Sequence, residues 1–190
     1  MSEPFTNFSD KELIACITEK GEIDAFGVLY DRYIKVVFNK VLITFGNFQD
    51  AEDITHDIFL KIFLRLKTFK GNAAFSSWVY SITNHHIIDI IRTAKNKNRY
   101  DHESDMASFP EEPDDEQLLM IDSSILKGIM EQLDEEERMI LMLKYKDEMS
   151  VKGIMEIFKI KESTAKMRIS RAKQKAYKIY KEQFQKNMEI

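Results

Sequence analysis

A long acidic segment near the middle of the chain most strongly limits what this sequence can fold into. From Asp101 to Asp122 there are nine acidic residues and no lysine or arginine. The two prolines in this segment disfavour a helix before about Glu116, and repulsion among the like charges opposes collapse into a core. We therefore expect a flexible tether that divides the chain into two domains. The predicted parts are a first domain at 1–97, an acidic linker at 98–117 and a second domain at 118–190.

The composition predicts an all-α fold of two small helical domains. The 190 residues include only six glycines and three prolines, with abundant Lys, Glu, Ile, Leu and Met. The single cysteine, Cys16, excludes an intramolecular disulfide framework and a cysteine zinc cluster. No apolar run approaches the length of a membrane span, the N-terminus lacks the features of a signal peptide, and no nucleotide-binding or hydrolase motif occurs. We expect a cytoplasmic protein without a cofactor, a metal site or an enzymatic site.

Three helices are predicted in the first 69 residues. Ser9 precedes Glu12 by three residues, as in a capping box, and this predicts a first helix at 9–20. Apolar residues at helical spacing predict a second helix at 25–45 and a third at 49–69. The core stripe of the third helix is Ile54, Ile58, Ile62 and Leu66, widened by Phe59 and Phe63.

Four acidic residues mark the start of the third predicted helix. Acids in a first helical turn are favoured by the helix dipole, which is a sufficient reason for those at 50–53. Asp57 lies beyond the first turn and forms an i, i+4 acidic pair with Asp53, which costs helix stability unless a basic partner binds it. A docking face is therefore the second interpretation of the four residues, Asp50, Glu52, Asp53 and Asp57.

The segment 69–92 combines aromatic side chains with basic ends. Ser76 or Ser77 is suited to cap a helix that starts near Trp78. Aromatic faces beside cations bind unstacked nucleic-acid bases. The alternative is that these rings are core residues that seal a loop against a helix. The aromatic residues are Phe75, Trp78 and Tyr80, and the basic ends are Lys70 and Arg92.

The second domain contains a predicted helix-turn-helix. Asp134 precedes Glu137 by three residues and is predicted to cap a helix. A short helix at 151–158, a turn at 159–161 and a longer helix at 162–183 follow. This order is typical of a DNA-binding helix-turn-helix.

The last predicted helix has one face of small apolar residues and one basic face. From Lys159 to Lys186 ten basic residues are opposed only by Glu162 and Glu182, so the helix attracts phosphate. The alternative is a basic face that is merely solvated. The apolar face is Ala165, Ile169, Ala172, Ala176 and Ile179, and the opposite face is Ser163, Lys166, Met167, Ser170, Arg171 and Gln174.

Both domains resemble one family of transcription factors. The stretches AFGVLYDRY, DAEDITHDIFLKIF and FKGNAAFSSWVYSI…IIDIIR, in that order, resemble the second conserved region of bacterial sigma factors of the extracytoplasmic-function (ECF) group. The stretches LDEEERMILMLKY, MSVKGIMEIF and STAKMRISRAK resemble the fourth conserved region of the same group. The resemblance implies an alternative sigma factor that binds RNA polymerase core, recognises a two-part promoter and melts DNA without a catalytic residue of its own.

The resemblance also implies partners and roles for particular residues. Contact with the clamp helices of the largest polymerase subunit is implied for Asp50, Glu52, Asp53 and Asp57, and contact with the flap of the second-largest subunit for the second domain. Contact with the minus-ten promoter element is implied for Lys70, Phe75, Trp78, Tyr80, Asn84, His85 and Arg92. Contact with the minus-thirty-five element is implied for Ser163, Thr164, Lys166, Met167, Arg168, Ser170, Arg171, Gln174 and Lys175. An anti-sigma factor is a further implied partner, which would cover apolar faces of both domains and hold the protein at the inner membrane.

Several positions depart from the family pattern. His85 stands where the family usually has Asn, close to the flipped promoter base. Gly153 stands where the family has Glu, Lys159 where the turn often has Gly, and Met167 where a Ser is frequent on the groove-facing side. The base preferences of the family therefore do not carry over to this chain.

Two other functions remain open from the sequence. A helix-turn-helix transcriptional regulator could act without sigma activity, with Phe75 and Trp78 buried. An enzyme could use His85, His86 and Asp89 as metal ligands, because His85 and Asp89 lie one helical turn apart.

Overall fold

The computed structural model describes residues 5–97 and 123–185, and every regular element in these ranges is helical. This confirms the predicted all-α fold. The predicted linker at 98–117 lies outside the described residues. The helices are α1 (Asp10–Lys20), α2 (Asp24–Phe45), α3 (Phe48–Arg65), α4 (Phe75–Lys97), α5 (Ser123–Glu131), α6 (Glu135–Leu141), α7 (Val151–Phe158) and α8 (Glu162–Tyr180).

Short turns of other helix types extend three of these helices. A 3-10 turn at Leu66–Thr68 follows α3, and π-helical turns at Met142–Lys146 and Lys181–Gln185 follow α6 and α8. The chain divides into two compact units, and the boundary between Ile87 and Ile88 lies within α4.

The first helix begins with the predicted capping box. The Ser9 hydroxyl accepts a hydrogen bond from the Glu12 amide at 3.4 Å, and the Glu12 carboxylate accepts one from the Ser9 amide at 2.7 Å. The hydrogen bonds from the Ser9 side chain and then its backbone lower the pKa of Glu12. The half of the capping box made by the Glu12 carboxylate is therefore present while Glu12 is ionised and weakens as the pH falls through that lowered pKa. Gly21, at φ +74°, ends the helix in the left-handed conformation that glycine favours.

Asp10 joins α1 to α2. Its carboxylate pairs with Arg32 at 2.7 Å and accepts a hydrogen bond from the Tyr33 hydroxyl. Burial, and secondly this hydrogen bond, raise the pKa of Tyr33, so the phenol stays a neutral donor. Together these contacts fix the start of α1 against the side of α2.

The core of the first unit follows the apolar stripes of the sequence. Of the predicted α3 stripe, Ile58, Ile62 and Leu66 are buried, whereas Ile54 is only half-buried. Cys16 is also buried, and burial raises the pKa of its thiol. The largest fully buried side chains of this unit are Leu13, Leu29, Val41, Ile58, Ile62, Leu66 and Ile87.

The fourth helix begins earlier than the sequence predicts. We expected a start near Trp78 with Ser76 or Ser77 as the cap, but α4 starts at Phe75 and the Trp78 amide already bonds the Ala74 carbonyl at 3.2 Å. The physical reason is the burial of Phe75, which is only 5% exposed. A helical start at this residue turns its ring inward, and the energy of burying an aromatic ring outweighs the modest advantage of a serine cap.

The second unit contains the predicted helix-turn-helix. The Asp134 carboxylate accepts a hydrogen bond from the Glu137 amide at 2.8 Å, and the Asp134 amide donates to the Glu137 carboxylate at 2.9 Å, which confirms the predicted capping box of α6. Helices α7 and α8 follow at the predicted positions, although α8 ends at Tyr180 before its π-helical turn. The predicted inward face of α8 is buried at all five positions, Ala165, Ile169, Ala172, Ala176 and Ile179.

Two departures from the family pattern have a visible effect in this unit. A Cβ atom at Gly153 would lie 2.8 Å from Cγ of Met149, so the absence of a side chain gives Met149 room to lie over α7. Lys159 ends α7 at φ +51° and ψ +48°, in the left-handed region that disfavours a residue with a Cβ atom. The turn therefore carries backbone strain where glycine would carry none.

Replacing Lys159 with glycine should relieve this strain. We expect Lys159→Gly to stabilise the second unit by about 1 kcal/mol and to slow amide hydrogen exchange in α7 and α8 by about five-fold. Exchange in α1 and α2 should stay unchanged.

The matched control is Lys161→Gly, which removes the same charge two residues further on, where φ is −73° and ψ is 158°. This position has no left-handed strain to relieve, so exchange should not slow. Equal slowing by both variants would contradict the strain at Lys159.

Candidate functional site

The acidic side chains at the start of α3 do not cap the helix, although the helix dipole favours Asp50 in its first turn. Asn47 caps this helix, because its side-chain oxygen accepts hydrogen bonds from the amides of Gln49 at 2.8 Å and Asp50 at 3.2 Å. Capping by the acids is therefore not required. Within the described parts of the chain, none of the four makes an ion pair, and all are exposed: Asp50, Glu52, Asp53 and Asp57.

Sequence reasoning missed two exposed leucines on the same helix. Leu60 is 57% exposed and Leu64 is 70% exposed, although both are large apolar residues. Their spacing places them on the side of α3 that carries Asp53 and Asp57. The sequence alone could have indicated their exposure, because both leucines fall outside the buried stripe of α3 at Ile58 and Ile62. We call Asp50, Asp53, Asp57, Leu60 and Leu64 the α3 face.

An aromatic cluster surrounds the start of α4. The rings of Phe69, Phe75 and Trp78 lie with centroids 5.4 to 5.6 Å apart, and Tyr33 packs edge-on against Phe75 at 5.5 Å. Phe75 is buried, whereas Trp78 is partly exposed. Phe75 therefore packs in the core, whereas part of the Trp78 side chain faces solvent.

The remaining predicted minus-ten residues differ widely in exposure. Tyr80 is half-buried, and the ammonium of the buried Lys40 lies 4.2 Å from its ring centroid. Asn84 is only 1% exposed, so its side chain lies in the core. Lys70 and His85 are exposed, and Arg92 is partly exposed and pairs with Asp89 at 3.5 Å.

The two neighbouring histidines of α4 do not form a metal site. His85 is exposed and its Nδ1 lies 2.7 Å from the Ser81 carbonyl oxygen, whereas His86 is buried with its Nδ1 2.5 Å from the Lys61 ammonium. The two rings therefore lie on different sides of the helix. In the ranges that the structure describes, no three His, Cys, Asp or Glu side chains come together as metal ligands.

The outward face of α8 divides into residues that support the helix and residues that are available to a ligand. Arg168 pairs with Glu136, and Lys175 pairs with Glu137 at 2.6 Å, so these two predicted DNA contacts instead join α8 to the first turn of α6. Lys166 pairs with Glu162 on its own helix at 2.6 Å, which lowers the pKa of Glu162. Ser163, Lys166, Met167 and Arg171 are exposed, while Thr164, Ser170 and Gln174 are partly buried.

Comparison with known proteins identifies both units. Residues 29–97 match the family model Sigma-70 region 2, and residues 124–175 match the family model Sigma-70, region 4. The two-domain organisation is therefore that of the sigma-70 class.

Full-length relatives narrow the class to one group. The chain is 30% identical over 166 residues to the ECF RNA polymerase sigma factor SigW of Bacillus subtilis (strain 168), covering 82% of this chain and 89% of that protein. It is 28% identical over 191 residues to the ECF RNA polymerase sigma-E factor of Escherichia coli (strain K12), covering 92% and 94% of the two chains. The chain belongs to the ECF group of RNA polymerase sigma factors. It is an alternative sigma factor that directs promoter recognition, and the interpretation as a regulator without sigma activity is not favoured.

Solved structures share the fold. The sigma factor RpoE of Bartonella quintana, in complex with the anti-sigma factor NepR, superposes with a TM-score of 0.55 at 17% identity, over 82% of this chain and 96% of that one. CnrH, in complex with the cytosolic domain of CnrY, superposes with a TM-score of 0.52 at 19% identity, over 92% and 98% of the two chains. Among the described helices, none is long and apolar enough to cross a membrane.

Because some cations of α8 are paired with α6 and others are exposed, substitutions of the two kinds should have different effects. Arg171→Ala removes an exposed cation without an ion pair among the described residues, so it should weaken duplex DNA binding and reduce the slope of log K against log salt by about one. Lys175→Ala breaks the contact with Glu137 and should mainly destabilise the second unit, with a smaller change in slope. Binding of the full chain to duplex DNA at several salt concentrations measures both effects. An unchanged slope for Arg171→Ala would remove this residue from the DNA contact.

Proposed function

We propose that this sigma factor docks on RNA polymerase core through the α3 face. Its basis is that three carboxylates, without ion pairs among the described residues, and two exposed leucines occupy one side of a single helix. Carboxylates at the edge of such a surface steer a basic partner, and the leucines supply apolar area that is removed from water on binding. The partner surface is the pair of clamp helices of the largest polymerase subunit, and the second unit contacts the flap of the second-largest subunit.

The start of α4 is the part of this sigma factor that holds melted promoter DNA. Trp78 offers a partly exposed ring for an unstacked base of the minus-ten element, and the buried ring of Phe75 fixes its orientation through a stacked contact at 5.6 Å. Lys70 and Arg92, near the two ends of this segment, neutralise phosphate charge. Phe75 and Asn84 act through packing and not by touching DNA.

Helix α8 is the recognition helix for the minus-thirty-five element. Ser163, Met167 and Arg171 are exposed on the side opposite the small buried residues, which lets the helix enter a major groove. The pairs of Arg168 and Lys175 with α6 hold the helix at a fixed angle during binding.

The protein acts in the cytoplasm and has no catalytic residue of its own, because the polymerase supplies the chemistry of RNA synthesis. An anti-sigma factor is a partner of the free protein and can hold it at the inner membrane. RpoE was solved with the anti-sigma factor NepR, and CnrH with the cytosolic domain of CnrY, and both share this fold. The exposed leucines of the α3 face provide the apolar area that such a partner would cover.

The direct test combines core binding with transcription. The tagged protein is used to capture purified core RNA polymerase, and the complex then transcribes fragmented genomic DNA of the source cell. We expect core binding and discrete new transcripts. Salt-sensitive duplex binding without core binding would overturn the proposed sigma activity.

Substitutions on the α3 face should weaken core binding. Asp57→Lys replaces attraction to a basic partner with repulsion, and we expect about ten-fold weaker affinity for core polymerase. Leu60→Gln should have a comparable effect through lost apolar contact, without loss of stability, because Leu60 is already exposed.

The matched control for the charge reversal is Glu19→Lys, at an exposed position on α1 of the same unit. Core affinity should be unchanged. If Glu19→Lys and Asp57→Lys weaken binding equally, only the net charge of the unit matters and the α3 face is not the contact.

Substitution of Trp78 should separate DNA melting from core binding. Trp78→Ala removes the stacking ring, and because base stacking is worth about 1–3 kcal/mol, promoter opening should slow by ten-fold or more. Core affinity should not change. Permanganate reactivity of unpaired thymines measures opening.

The control is Trp78→Phe, which keeps an aromatic face and should retain most of the opening rate. The folded fraction of each variant is measured by circular dichroism. An opening rate that falls only in proportion to the folded fraction would assign Trp78 to the core.

A further inference from the structure

The first residue of α1 is linked to the aromatic cluster through one side chain of α2. The carboxylate of Asp10 accepts a hydrogen bond from the hydroxyl of Tyr33. The ring of Tyr33 packs edge-on against Phe75 with centroids 5.5 Å apart, and Phe75 stacks on Trp78 at 5.6 Å. A continuous series of contacts therefore connects Asp10 to the ring at the proposed base contact.

Asp10 is held in place by contacts that do not involve Tyr33. Its carboxylate pairs with Arg32 at 2.7 Å. Arg32 also donates hydrogen bonds to the backbone carbonyl of Thr6 at 3.2 Å and to that of Phe8 at 2.5 Å. The carboxylate is therefore fixed both to α2 and, through Arg32, to the residues that precede α1. A fixed, charged acceptor forms a stronger hydrogen bond than a neutral one.

The hydrogen bond restricts the plane of the Tyr33 ring. The side chain is anchored to α2 at one end and to Asp10 at the other, whereas a ring without the hydroxyl would be anchored only at Cβ. An edge-to-face contact depends on the angle between the two rings, which is 79° for Tyr33 and Phe75. A change at this contact alters the position of Phe75 and hence its stacking on Trp78, where the rings are 29° from parallel.

We propose that Asp10 and Tyr33 are positioning residues for promoter opening, because their hydrogen bond sets the orientation in which Trp78 receives an unstacked base. Both residues act through Phe75 and not by touching DNA. Asp10 lies before the residues that match Sigma-70 region 2, which begin at residue 29. The inference rests on the proposed role of Trp78 in holding melted promoter DNA.

The alternative is that the contact only stabilises the first unit. Arg32 allows the two roles to be separated, because it also joins α2 to the start of α1. In the described part of the chain its guanidinium contacts the Asp10 carboxylate and two backbone carbonyls, and no ring of the cluster. Loss of Arg32 should therefore lower stability without moving Trp78.

The first test uses fluorescence of the full chain, in which Trp78 is the only tryptophan. Tyr33→Phe keeps the ring and removes the hydroxyl, and the constant for quenching of Trp78 by acrylamide should rise. Tyr30→Phe is the matched control, because it removes a hydroxyl from the same helix at a ring that packs on Phe59. Neither Tyr30→Phe nor Arg32→Gln should change the quenching, measured where circular dichroism shows each variant to be folded.

The second test measures promoter opening by the holoenzyme with permanganate. Tyr33→Phe and Asp10→Ala should each slow opening about three-fold, the effect of one hydrogen bond, with unchanged core affinity. The two residues act as a unit, so the double variant should open no more slowly than Asp10→Ala alone. In a Trp78→Ala background, which has no ring to orient, Tyr33→Phe should not slow opening further.

Three results would overturn the proposal. The first is unchanged quenching and opening in Tyr33→Phe. The second is equal slowing by Arg32→Gln, and the third is additive slowing by Asp10→Ala and Tyr33→Phe, since both would reduce the contact to a stabilising one. If Trp78→Ala slows opening and Tyr33→Phe does not, only this inference fails. If Trp78→Ala has no effect on opening, the proposed role of Trp78 fails and this inference fails with it.

Discussion

The burial of Phe75 is the constraint on which the DNA-facing side of α4 depends. Its ring contacts Tyr33 of α2 and the rings of Phe69 and Trp78, so the rotation of the helix about its axis is fixed at its first residue. With that rotation set, Val79, Ile82 and Ile87 point into the core, and Trp78, Ser81 and His85 are left toward solvent. A core contact thus decides which side chains are available to a base.

The second unit uses charge in an analogous way. Glu136 and Glu137, in the first turn of α6, are favoured there by the helix dipole and pair with Arg168 and Lys175 of α8. Carboxylates that stabilise one helix end therefore also orient the recognition helix. The cations of α8 have two physical roles, because a paired cation fixes geometry whereas an exposed one such as Arg171 can neutralise phosphate.

The features that sequence alone predicted are those set by local spacing. Both capping boxes, at Ser9 and Asp134, and the buried small-residue face of α8 follow from fixed i, i+3 or i, i+4 relations, and all are present. The features that could not be predicted from the sequence depend on contacts between residues that are far apart along the chain. The inward rotation of Phe75 is set by Tyr33, 42 residues earlier, and the pair of Arg168 is with Glu136, 32 residues earlier. Asn84 is polar, and only its packing in the folded unit places it in the core.

The distribution of charge along this chain, and not its net charge, explains how one protein can have both an acidic and a basic binding surface. A net charge of −4 alone would argue against a DNA-binding protein. At physiological ionic strength, however, exposed charges are screened beyond about 8 Å, so the local charge of a surface matters more to a bound ligand than the net charge of the chain. The start of α3 exposes carboxylates, whereas the outward face of α8 exposes Arg171 next to the uncharged residues Ser163 and Met167. Between these extremes, residues 71–88 contain no Asp, Glu, Lys or Arg, so this part of the chain neither attracts nor repels phosphate strongly.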